Sequence, residues 1–191
     1  MGKGEQNQQE WALRMYSYTN REKPPRPNRI SFYLFNLDGG LGEGSYFQEP
    51  VRSGEWIHVT AVADKGSTAI YKNGAYIRCD EYNGRSGRGC QAHGERIHPS
   101  QGTAPLRLGT RDLKSFFQGE LSQVRIWKRA LRSDEVRRLY GNNDVPRQGL
   151  AAEFLLDEGE GDVVHDTAGG HQGKVVGARW AKAATEVQRA P

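Results

Sequence analysis

Residues 54–77 read GEWIHVTAVADKGSTAIYKNGAYI, and this stretch decides the fold class. From Trp56 the side chains alternate, with Ile57, Val59 and Ala61 turned one way and Trp56, His58 and Thr60 the other. A period of two is that of a strand with one face on a core. STAIYK then runs into Asn73-Gly74 and AYIRC. Asn-Gly tolerates the positive φ angles of a type I′ turn, so two short alternating segments around it predict a β-hairpin.

The same reading extends in both directions. Trp11–Tyr18 sets Trp11, Leu13 and Met15 against Ala12, Arg14 and Tyr16 and reads as another strand. REKPPRPN, with three prolines in eight residues, can continue neither strand nor helix and is expected as an exposed loop. Ile30–Leu37 (ISFYLFNL) is apolar on both faces, as a central strand is. DGGLGEG supplies the following turn, and SYFQEP a short strand that Pro50 ends. Beyond the hairpin, PLRLGT and GELSQVRIWKRA read as strands, with Leu106 and Leu108, then Leu121, Val124 and Ile126, turned inward. SDEVRRLY is the one expected helix, near 133–140. Ser133 is placed to cap it, Asp134 and Glu135 suit the positive end of its dipole, and Gly141 stops it. The last third adds strands near Ala151–Leu156 and Lys174–Val176. Short strands with one helix predict an all-β antiparallel sandwich.

Composition narrows the class further. Hydrophobic residues make up 36% and mean hydropathy is -0.80, and no run approaches the roughly 18 apolar residues of a membrane span. At 191 residues the chain suits one ordinary domain with a real core. The net charge of +4 and pI near 9.1 raise the question of nucleic acid. The arginine clusters at 26 and 29, at 85 and 88, and from 129 to 138 are modest and carry no aromatic stacking pattern, so that partner is not expected. Cys79 and Cys90 bracket DEYNGRSGRG, a loop too polar to pack itself. A disulfide there would stabilise the fold by about 3 kcal/mol through loop closure. The bridge is expected in an oxidising compartment and thiols in a reducing one.

The order of these pieces resembles a known family. GEWIHVTAVADKGSTAIYKNGAYI is similar to the laminin-G-like pattern of a Trp-x-His-Val strand followed by a hairpin carrying Tyr-x-Asn-Gly. PLRLGTRDLKSFFQGELSQVRIWKRALRSDEVRRLY resembles that family's closing signature: a Leu-x-x-Gly strand, Phe-x-Gly, a strand, Arg-Ala-Leu-Ser and a short helix, with the serine one residue later in this chain. The resemblance implies a concanavalin-A-like, pentraxin-like jelly roll and places Trp56 and Trp127 in its sheets. GLAAEFLLDEGEGDVVHDTAGGHQGKVVGARW resembles the same family, but its beginning. Residues 1–141 are therefore expected to form the main sandwich, 142–148 a linker, 149–180 the family's opening strands and 181–191 a tail. That order fits a circular permutation, with NNDVPRQG joining the old end to the old start, or a piece of a tandem array carrying the first strands of a following repeat. In both cases the strands that ordinarily precede EWALRMYS have no counterpart. Open edges are then expected to be covered by another copy, a neighbouring domain or the tails.

Members of this family bind carbohydrates, proteins or lipids, often with Ca²⁺ at the sandwich rim, so the resemblance implies a binding module. Ligand candidates are Tyr46, Tyr76, Asp80, Tyr82 and Asn83: rings for the C–H face of a sugar, with amide and carboxylate groups beside them. Calcium takes about six to eight oxygens, and Asp157, Glu158, Glu160, Asp162 and Asp166 are the densest supply, with Asp112 and Glu120 as further partners. The Asp that often follows Phe-x-Gly in the family is absent, since Glu120 follows Gly119. Catalysis is not expected, because the retaining jelly-roll pattern Glu-x-Asp-x-x-Glu does not occur. Glu153 and Asp157, on one face of a strand, would stand roughly 13 Å apart, too wide for either glycosidase geometry. The expectation is a non-enzymatic carbohydrate-binding module with calcium as its candidate cofactor. The alternatives are a protein-interaction or assembly module using exposed sheet edges, including a homo-oligomer, and, third, a glycoside hydrolase. MGKGEQNQQEW lacks the apolar core of a signal peptide, so an extracellular or cell-surface setting is expected only as part of a secreted parent.

Overall fold

The computed structural model describes residues 1–5, 8–21, 25–36, 42–77, 90–92, 97–99, 101–142 and 144–182. The chain divides into two units, Met1–Gln118 with Leu131–Asp144, and Gly119–Ala130 with Val145–Pro191.

The first unit is built on two antiparallel sheets. One holds β1 (Gly2–Glu5), β2 (Gln8–Met15), β3 (Ile30–Phe35), β4 (Gly42–Tyr46) and β9 (Leu106–Arg107), in the order β4-β3-β2-β1-β9. The other holds β5 (Val59–Asp64), β6 (Ser67–Lys72) and β7 (Ala75–Tyr76), with β8 (Cys90–Ala92) also on β6. The alternation read from the sequence places the core. Trp11 and Leu13 of β2 join Phe32 of β3 and Phe47 on one side, and Ile70 of β6 meets them with Val59 and Ala61 of β5. Ile57 belongs to the same cluster, so the expected inward set of Ile57, Val59 and Ala61 is found together. Between the sheets the Ser45 hydroxyl lies 2.6 Å from that of Thr68, and both side chains are fully buried. One hydroxyl donates to the other, and the Thr68 carbonyl is a further acceptor for Ser45 at 3.1 Å, so both are engaged where water is excluded.

The hairpin is where it was expected: Asn73 (φ 51) and Gly74 (φ 74) join β6 to β7, and Tyr71 pairs with Tyr76. The preceding turn uses the same device, with Lys65 (φ 38) and Gly66 (φ 81) joining β5 to β6. Helix α1 (Ser133–Asn142) buries Val136 and Leu139 and runs through Gly141 rather than stopping there. Ser133 is not its cap. Val136 N–H donates to the Arg132 carbonyl, and Arg132 N–H donates to Glu135 Oε2, so Arg132 holds the capping position. The Ser133 hydroxyl is used elsewhere, 3.0 Å from that of Tyr71.

Three further expectations are corrected. The stretch expected as a turn, DGGLGEG, contributes Gly42 and Gly44 to a strand, β4, paired with Phe35 and Tyr33. A Cβ on Gly42 would lie 2.4 Å from the Phe35 ring, so bare backbone is what allows that approach. Trp56 precedes β5 and is 43% exposed, not packed within a sheet. Leu121 is exposed and lies ahead of its strand.

In the second unit β10 (Val124–Trp127) pairs antiparallel with β11 (Leu150–Phe154), matching Val124 to Phe154, Arg125 to Glu153 and Ile126 to Ala152. β12 (Val163–His165) pairs with β13 (Gln172–Lys174) as a second ribbon. Residues 150–154 are thus paired with residues 124–127 of the same chain. Trp127 donates its indole N–H to the Pro146 carbonyl at 2.8 Å.

Candidate ligand-binding face

Around the Asn73–Gly74 turn the chain gathers aromatic rings. His58 N–H donates to Asn73 Oδ1 at 2.9 Å, and Asn73 N–H donates back to the His58 carbonyl at 2.8 Å. This two-way link fixes the turn against the chain entering β5. Gly74 then passes beneath the Tyr140 ring, where a Cβ would stand 3.1 Å from the Tyr140 side chain. The His58 and Tyr140 rings are 5.8 Å apart, and those of Tyr71 and Tyr76 5.4 Å. Tyr71 is buried, whereas Tyr76 and Tyr140 are 40% and 42% exposed. Each exposed ring therefore rests on a fixed neighbour. Burial and the neighbouring Tyr71 raise the Tyr76 phenol above its ordinary range, so it stays a neutral donor at physiological pH.

Of the other ligand candidates, Asp80, Tyr82 and Asn83 lie outside the described residues, as does Cys79 of the expected bridge with Cys90. Tyr46 is not available for stacking: it is only 3% exposed, with the Arg26 guanidinium 4.4 Å above its ring. The sequence placed Tyr46 beside a loop, but it ends β4 inside a packed cluster.

The acidic residues of the second unit are used in folding. Asp166 Oδ1 accepts N–H groups from Glu153, Ala168 and Gly169, and Oδ2 accepts His171 Nδ1 at 2.6 Å. Burial would raise this carboxyl, but these donors hold it far below the usual range. Glu153 is also buried, and it accepts Arg125 Nε at 2.7 Å, Arg147 Nη1 at 2.8 Å and Thr167 Oγ1 at 2.9 Å. Burial pushes Glu153 up, and the two guanidiniums and the hydroxyl outweigh it, bringing it down to about 2. Glu158 accepts His165 N–H, while Asp157 and Asp162 are exposed. Asp112 accepts N–H groups from Lys114 and Ser115 within its own turn, and Glu120 is exposed. Among the described residues no three His, Cys, Asp or Glu side chains gather as a metal centre requires.

Residues 6–137 match the family model described as the concanavalin A-like lectin/glucanases superfamily. The chain belongs to that superfamily. No curated protein matches it. Two solved structures are similar. One is a candidate carbohydrate-binding protein from Bacteroides ovatus ATCC 8483, at 18% identity and a TM-score of 0.47, covering 94% of this chain and 53% of that one. The other is an S-layer domain-containing protein from Clostridium thermocellum ATCC 27405, at 19% identity and a TM-score of 0.33, covering 61% and 54%. The chain spans about half the length of each. At those scores neither likeness carries an argument about this molecule.

Membership of a concanavalin A-like superfamily fixes architecture and leaves the ligand open, because its description spans lectins and glucanases. Among the described residues no helix is long and apolar enough to cross a membrane.

Proposed function

We propose that this chain is a carbohydrate-binding module with no catalytic centre of its own. The observation that carries the reading is the pair of half-exposed rings, Tyr76 and Tyr140, flanking the rigid Asn73–Gly74 turn. A supported aromatic face suits the C–H side of a sugar ring, since little side-chain freedom is lost on binding. Asn73 Oδ1 is held by the His58 N–H, which fixes the turn between the rings, and burial keeps the Tyr76 phenol neutral at physiological pH. Superfamily membership supports the same reading.

A glycan array probed with wild type and Tyr76→Ala, with and without EDTA, tests this. A defined set of glycans should bind wild type and lose most of its signal with Tyr76→Ala. A signal abolished by EDTA would add calcium to the ligand. The assembly reading has the exposed Leu113 and Phe116, at 60% and 72%, in its favour. Absence of any glycan signal, together with concentration-dependent sedimentation, would replace the carbohydrate reading with that one.

A further inference from the structure

On the face of the five-stranded sheet turned away from the main core, β2 presents Ala12 and Arg14, with Tyr16 just past its end, and Ala12 lies opposite Tyr33 of β3. The Arg14 guanidinium lies 5.0 Å from the Tyr16 ring centroid and 5.1 Å from that of Tyr33. Its Nε is shut off from solvent, with no hydrogen-bond acceptor among the described residues. Arg111 enters the same neighbourhood over Gly2, which pairs with Ala12; a Cβ on Gly2 would stand 3.1 Å from that of Arg111. A glycine and an alanine therefore form the floor beneath the two arginines.

The acidic groups nearby are already engaged. Glu10, on the same face of β2, is paired with Lys3. Asp112 meets Arg111 Nε at 3.3 Å but divides its oxygens among Lys114 N–H, Ser115 N–H and the Ser115 hydroxyl. The phenol pair has one donor in reserve. Tyr16 and Arg26 Nη1 both donate to the Tyr33 hydroxyl, at 3.2 Å each, leaving that hydroxyl's own proton to be given away. Electrostatics agrees with the geometry. Burial, then the charge of Arg14, lowers Arg111 from its ordinary value, and Asp112 only partly offsets them. Burial would raise the Tyr16 phenol, yet the Tyr33 hydrogen bond and the charges of Arg14 and Arg26 bring it down. Negative charge is what this environment favours.

We propose that Arg14 and Arg111, beside the Tyr16–Tyr33 phenol pair, form a binding site for an oxyanion, either free in solution or carried as the carboxylate of an acidic sugar. A planar guanidinium offers parallel N–H groups that match two oxygens of one anion, and a second guanidinium whose charge opposes the first is relieved by that anion. The site is separate from the Tyr76–Tyr140 rings and does not depend on them.

The test is calorimetric titration at low salt with three probes: inorganic sulfate, a galacturonic-acid oligomer and the neutral galactose oligomer. Wild type should bind an anionic probe and not the neutral one at this site, with affinity falling as chloride is added. Arg14→Gln and Arg111→Gln should each weaken that binding at least tenfold. Arg52→Gln, at an exposed ion pair with Glu55, should leave it unchanged. Tighter binding of the galacturonate oligomer than of sulfate assigns the site to an acidic glycan, and equal binding assigns it to a free oxyanion. Circular dichroism checks folding. Should Arg14→Gln unfold, Arg111→Gln on its loop and Arg14→Lys, which keeps the charge and loses the fork, carry the test. Equal binding of neutral and acidic oligomers, no binding of either anion, or an equal loss with Arg52→Gln would overturn the proposal.

Discussion

Glu153→Gln keeps the shape of a buried side chain and removes its charge. Glu153 is held at about 2 against an ordinary 4.5. That difference corresponds to about 3 kcal/mol of stabilisation of the ionised form. Arg147, one of its two cations, is 68% exposed, so solvent screens its share and about 2 kcal/mol is the better figure. The folded-state value is depressed, so the stabilisation is complete above the unfolded value of 4.5 and is lost as pH falls toward about 2. At pH 7 the variant should be less stable by about 2 kcal/mol, and the gap to wild type should close across that acid window. Urea unfolding followed by tryptophan fluorescence reads this directly, because Trp127 sits on β10 beside Arg125. A variant within about 0.5 kcal/mol of wild type at pH 7, or a gap that persists in acid, would refute the reasoning, since surface ion pairs alone contribute little.

Ile70→Ala empties the centre of the main core, where Ile70 is 0% exposed, and should cost about 2–5 kcal/mol in urea unfolding. Gly74→Ala forces a side chain onto a residue at φ 74 and toward the Tyr140 ring. It should lower thermal stability by about 1–2 kcal/mol and shift the fluorescence of the Tyr76–Tyr140 face, and an unchanged melting temperature would contradict the assigned turn.

What the sequence made legible was local. Asn73-Gly74 between two alternating segments specifies its own hairpin, and the apolar set of Ile57, Val59 and Ala61 specifies the face that meets Ile70. The misreadings came where distant residues decide. Gly42 and Gly44 look like turn residues until the neighbouring strand β3 lies against them, with the Phe35 ring on the first and the Phe32–Tyr33 backbone on the second. Ser133 has the right chemistry for a cap, but Tyr71, far away in sequence, engages its hydroxyl and leaves Glu135 to cap from within the helix. Glu153 and Asp166 look like acid or metal ligands; the pairing of β10 with β11 brings Arg125 to the first, and a separate bridge between Phe154 and Asp166 brings the N–H of Glu153 to the second. Arg14 and Tyr16 could be placed on one face from their alternation, but nothing in sequence brings Arg26 or Arg111 to them.

The most direct test of the carbohydrate reading is calorimetric titration of the strongest array ligand into wild type, Tyr76→Ala and Glu153→Gln, each first shown to be folded. The account predicts at least a tenfold loss of affinity with Tyr76→Ala and wild-type affinity with Glu153→Gln. Undiminished binding by Tyr76→Ala together with loss in Glu153→Gln would place the sugar at the buried carboxylates and contradict it.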